Sequence, residues 1–76
     1  MKGIVVKRAL HKNCIYVVVE HDNTLTTIET NYAEDFEYGD IISGELQTLG
    51  GEDFYNHSQQ FPFDGIVQNI YDRLKR

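Results

Sequence analysis

Tryptophan is absent from this 76-residue chain, and cysteine, proline and methionine occur once each. The single cysteine, Cys14, excludes an internal disulfide, and with it the stapled scaffolds on which many small secreted domains depend. A reducing compartment is expected. The single proline, Pro62, and the spread of β-branched and aromatic residues leave no compositionally disordered tract. Long apolar runs are missing as well. In the opening Met1-Lys2-Gly3-Ile4-Val5-Val6-Lys7-Arg8 the apolar run stops after three residues, far short of a signal-peptide core or a membrane span. The expectation is a cytoplasmic protein with no membrane partner. Its length allows one domain, residues 1–76.

Positive charge is what the centre of the chain lacks. All seven basic residues lie at the two ends: Lys2, Lys7, Arg8 and Lys12, then Arg73, Lys75 and Arg76. Residues 13–72 carry all twelve acids, and the net charge is −5 with histidines neutral. That balance is unlike a typical phosphate-backbone binder. If the two ends meet in space, one basic patch stands against an otherwise acidic surface.

What is present is a strand pattern. Gly39-Asp40-Ile41-Ile42-Ser43-Gly44-Glu45-Leu46 reads as a curved strand with Ile42, Gly44 and Leu46 inside, Gly44 allowing a bend or a close neighbour. Gly3-Ile4-Val5-Val6 and Gly65-Ile66-Val67 open two further strands with similar lettering. Cys14 to Glu20 is the clearest strand, with Ile15, Val17 and Val19 assigned to the core and Tyr16 to the outer face. His21-Asp22-Asn23 is a hairpin turn. Thr24 to Thr30 is the returning strand, and its four threonines argue for an exposed or edge position that a second copy of the chain could pair with. Between it and Gly39, Asn31 and Glu34 have capping-box spacing for a short helical turn near residues 32–37. Tyr32 and Phe36 would form its inner face, plugging one end of a barrel. Residues 47–64 read as a long loop or a short extra hairpin, with Gly50-Gly51 as a turn and Pro62 restricting its surroundings to a loop or an edge. Residues 72–76 are strand continuation, one helical turn or a frayed tail. The sum is an all-β fold: a small, five-stranded, curved antiparallel barrel.

The Met-Lys-Gly-Ile-Val opening, the five-strand rhythm and Tyr38-Gly39-Asp40-Ile41-Ile42-Ser43-Gly44-Glu45-Leu46 together resemble the small OB-fold barrels of the cold-shock and S1 type. The outline spans about residues 2–46, with Gly65 to Ile70 standing where a closing strand belongs. An SH3-like barrel is the competing topology. The OB resemblance implies single-stranded nucleic acid binding, RNA before DNA, with exposed aromatics stacking bases beside lysines. The Gly-aromatic-Gly-Phe and Phe-x-His signatures of cold-shock domains are absent, and only Tyr16 offers an outward aromatic on the second strand.

Two binding readings follow. In the first, Lys2, Lys7, Arg8, Lys12, Tyr16, Arg73, Lys75 and Arg76 form one nucleic-acid surface, whose affinity would fall steeply with salt. In the second, Glu34, Asp35, Glu37 and Asp40 with Phe61 and Phe63 form a protein-partner surface for a basic protein, as in a small inhibitor or accessory subunit. Neither reading needs a cofactor. His11 and Cys14 are only half of a metal-ligand spacing. Catalysis is not expected, because the sequence indicates no activated nucleophile, oxyanion site or phosphate loop.

Overall fold

The computed structural model describes residues 1–73. Six strands run in sequence: β1 (Lys2–Ala9), β2 (Cys14–Val19), β3 (Leu25–Glu29), β4 (Ile41–Gly44), β5 (Gly50–Asn56) and β6 (Phe61–Asp72). They close into an antiparallel barrel in the order β1-β2-β3-β6-β5-β4, with β4 returning to β1. This is the expected small all-β barrel, consistent with an OB-like form. It has six strands instead of five, because Gly50 to Asn56 is a full strand. Residues 47–64, expected as a long loop or a short extra hairpin, hold all of β5 and the first part of β6, which pair from Gly50↔Val67 to Asn56↔Phe61.

The interior follows the alternation of side chains along strands. Ile15, Val17 and Val19 of β2 are fully buried, as are Ile42 and Leu46, while Val5 supplies the core residue of β1. Phe54 and Phe63 face each other across β5 and β6 and stack at 5.3 Å. Phe36 stands edge-on to Phe63 at 4.7 Å and to Phe61 at 5.5 Å. Edge-to-face pairs of this kind add about 0.5–1.5 kcal/mol beyond the area they bury. These rings do the filling that a tryptophan would do elsewhere.

Two glycines mark where the barrel wall bends. Gly44 has φ +144°, and a Cβ there would lie 2.5 Å from a Phe54 ring carbon. Gly65 sits opposite Glu52 of β5, just before β6 begins to pair with β3 as well, and a Cβ there would meet Ile28 Cγ2 at 2.6 Å and the Glu29 carbonyl at 2.8 Å. Pro62 lies in the stretch of β6 paired only with β5, so its missing N–H faces no third strand.

Four sequence expectations change. β3 is not an edge: β2 pairs on one side and β6 on the other, so it offers no free edge to a second copy. Its threonines are partly interior, because Thr26 and Thr30 donate to the carbonyls of Leu46 and Asp64, both at 2.9 Å. The connector forms one 3-10 turn, Ala33–Asp35, with no side-chain cap from Asn31. Three residues per turn bring Ala33 and Phe36 to the inner side and leave Tyr32 exposed. Gly50 and Gly51 open β5 instead of making the turn, which residues 45–49 provide.

Candidate functional site

β1 and β6 occupy opposite walls of the six-strand ring. The two basic ends of the chain therefore do not come together along their strands. Lys2 pairs with Ser43 near one mouth of the barrel, and Lys7 pairs with Tyr16 five residues further along, roughly 17 Å away at strand spacing. Arg73 follows Asp72, which pairs with Leu25 across the barrel from β1. Lys75 and Arg76 lie outside the described residues. Within the basic set, the structure brings together Lys7 and Tyr16, with the ammonium 5.7 Å from the ring centre.

Arg8 is engaged internally. Its guanidinium donates to the Phe36 carbonyl at 2.8 Å and the Glu34 carbonyl at 3.3 Å, and lies 5.6 Å from the centre of the Tyr38 ring. It ties β1 to the end of the 3-10 turn, where helical carbonyls lack partners. The single stripe expected from sequence is thus replaced by separated cations, one of them committed to the fold.

The acidic set divides differently. Asp40 is 5% exposed, and its Oδ2 accepts from the Glu37 N–H (3.0 Å), Asn56 Nδ2 (2.8 Å) and Gln59 Nε2 (2.6 Å). Burial alone pushes this carboxyl up, but the three donors outweigh it and hold it below the ordinary aspartate range. Asp40 is a buried joint between the connector and the β5–β6 hairpin, not part of a docking surface. Phe63 also leaves the surface set, at 5% exposure in the aromatic core.

Glu34, Asp35 and Glu37 remain exposed on the connector, and Phe61 is half-buried beside it. Gln59 links the two: its Nε2 donates to the Asp35 carbonyl at 2.9 Å as well as to Asp40. The result is a groove of about 420 Å³ lined by Tyr32, Asp35, Gln59, Phe61 and Pro62. Sequence reading placed Asp35 and Phe61 on one surface but missed Tyr32 and Gln59. Tyr32 was assigned inward by helical spacing, and nothing in the lettering of residues 57–60 pointed to Gln59.

No known protein family, curated protein or solved structure matches this chain.

Other surface features are less complete. A groove of about 400 Å³ between β3, β5 and β6 is lined by Glu29, Glu52, Asp53 and Asp64 around Gly51 and Gly65. Asp53 and Asp64 face each other directly across the strands. Among the described residues the one contact between a basic and an acidic side chain within 4 Å is His21 Nε2 to Asp22 Oδ2, at 3.5 Å. Ser43 Oγ and His57 Nε2 are 2.6 Å apart on the outer wall, a pairing 14 residues apart that no motif announces. The His57 ring is packed edge-on against Tyr55, with the ring centres 4.9 Å apart. Cys14 is buried, and burial pushes its thiol up; the nearby Glu29 charge adds to the shift and Lys12 opposes it. No three His, Cys, Asp or Glu side chains among the described residues converge as metal ligands, and no helix there is long and apolar enough to cross a membrane.

Proposed function

We propose that this chain is a non-catalytic protein-interaction module that takes a basic segment of a partner protein on its acidic connector. The observation that carries this reading is the groove joining Asp35 to Phe61, with Glu34 and Glu37 exposed on the same connector. It combines apolar wall, negative charge and accessibility in one place. The three exposed acids outnumber the single guanidinium that the connector holds, that of Arg8, and steer a cationic partner, while the aromatic wall supplies contact area. A small inhibitor or accessory subunit would use such a surface.

Single-stranded nucleic acid is the second reading, and the Lys7–Tyr16 pair on the outer wall is what favours it. Its support is narrower, since among the described residues the other cations are spread around the barrel or engaged by the connector. One titration series separates the two. A fluorescent, unstructured lysine- and arginine-rich peptide is compared with labelled single-stranded RNA and DNA at low and moderate salt. Peptide binding that weakens with salt and is lost in Glu34→Lys with Asp35→Lys supports the first reading. RNA or DNA binding that vanishes in Lys7→Glu, with no peptide binding, replaces it with the second.

A further inference from the structure

The groove on the connector has a donor–acceptor pattern more specific than negative charge. The backbone N–H of Tyr32 is used by Thr30 Oγ1 (3.3 Å), that of Asp35 by the Tyr32 carbonyl (2.9 Å), and that of Gln59 by Asn56 Oδ1 (3.0 Å). Pro62 has no N–H to offer. The Gln59 side-chain nitrogen is held by Asp35 O and Asp40 Oδ2. That orientation leaves its carbonyl oxygen as the free end of the amide. The side-chain acceptors in the lining are therefore the Asp35 carboxylate and the Gln59 amide oxygen, beside the ring of Tyr32, whose hydroxyl can accept or donate, and the half-buried ring of Phe61. A ligand that fits must bring donors and tolerate flat aromatic walls.

We infer that the groove is an arginine pocket: it accepts the guanidinium of an arginine from the partner segment, not a lysine ammonium. This inference rests on the protein-interaction reading above and names the side chain that reading requires. A guanidinium is planar, stacks on aromatic faces and donates in a fork matched to a carboxylate, whereas an ammonium is a compact, strongly hydrated point charge. The connector already holds one guanidinium in a related way. Arg8 lies over Tyr38 and donates to two connector carbonyls. Asp35, Tyr32 and Phe61 offer a corresponding aromatic and acceptor set to a residue from outside the chain.

The test uses the full chain and two synthetic peptides of equal length and charge, one a Gly-Arg repeat and one a Gly-Lys repeat. Binding is followed by amide chemical shifts in two-dimensional NMR. The expected result is about tenfold tighter binding of the arginine peptide, with the largest shifts at Tyr32, Asp35, Gln59 and Phe61. Tyr32→Ala should bring its affinity down to that of the lysine peptide. Tyr55→Ala, an exposed tyrosine on β5, should leave both affinities unchanged. Equal affinity for the two peptides, with shifts at the groove, overturns the arginine inference and leaves the protein-interaction reading standing. An arginine preference with shifts elsewhere also overturns the inference. Binding of neither peptide removes both.

Discussion

Replacing Asp40 by alanine takes away one carboxylate oxygen that three donors share. The donors differ in what they lose. Asn56 is fully buried, and stranding its amide costs about 1–3 kcal/mol. The Glu37 N–H and the Gln59 amide are closer to water and can be rehydrated, so each is expected to lose only about 0.5–1 kcal/mol. The sum is about 3 kcal/mol, against a total stability of roughly 4–11 kcal/mol for a chain of this length. The variant should still fold, with a Tm lower by about 10–25 °C. Asp40→Asn keeps a neutral acceptor and should fall between the two. The pH dependence has a definite sign. Because the folded carboxyl is held below the ordinary aspartate range, its contribution is present in full above about pH 4 and is lost as pH falls through the folded-state value. In urea melts from pH 7 to pH 3 the gap between the parent and Asp40→Ala should therefore narrow towards the acidic end, the part that a neutral carboxyl still holds remaining. A loss below about 0.5 kcal/mol at pH 7, or a gap that widens on acidification, would refute the account of Asp40 as a charged joint.

Gly44→Ala should cost about 2–4 kcal/mol in the same melts, from a positive-φ backbone and a Cβ forced onto Phe54; an effect below 1 kcal/mol would mean that the ring can move aside. Thr26→Val leaves the buried Leu46 carbonyl without its donor and should destabilise by about 1–2 kcal/mol, while Thr26→Ser should recover most of that. Asp53→Asn removes half of an outward like-charge pair with Asp64 and should raise stability by about 0.2–1 kcal/mol at low salt, the gain shrinking as salt is added. Cys14, buried and with its thiol pushed up, should react with a thiol reagent at neutral pH at a small fraction of the rate seen in urea.

Much of the barrel could be read from residue order because strand alternation is a local property. Ile15, Val17 and Val19 had one face available to them, and all three are at zero exposure. Ile42 and Leu46 behaved the same way, while Gly44, expected inside with them, is only partly buried. The candidate surfaces were less legible. Whether an acid is a docking group or a buried acceptor depends on what stands opposite it. Glu34, Asp35, Glu37 and Asp40 look alike in a row, yet only the Asp40 carboxylate accepts from Asn56 and Gln59. Phe61 and Phe63 differ for a related reason: Phe63 falls opposite Phe54 inside the barrel, while Phe61 begins the strand and is left half-buried at the mouth.

By itself the sequence determined a small β fold without disulfides, the core faces of its clearest strands, and the confinement of basic charge to the two ends of the chain. These depend on side-chain period, on residue counts and on local backbone preference. Tertiary structure decided that the strands number six, that the two ends run on opposite walls, and that an acidic connector meets an aromatic hairpin. Those outcomes arise from which strand closes against which, and closure couples residues far apart in the chain through pairing that no local pattern encodes.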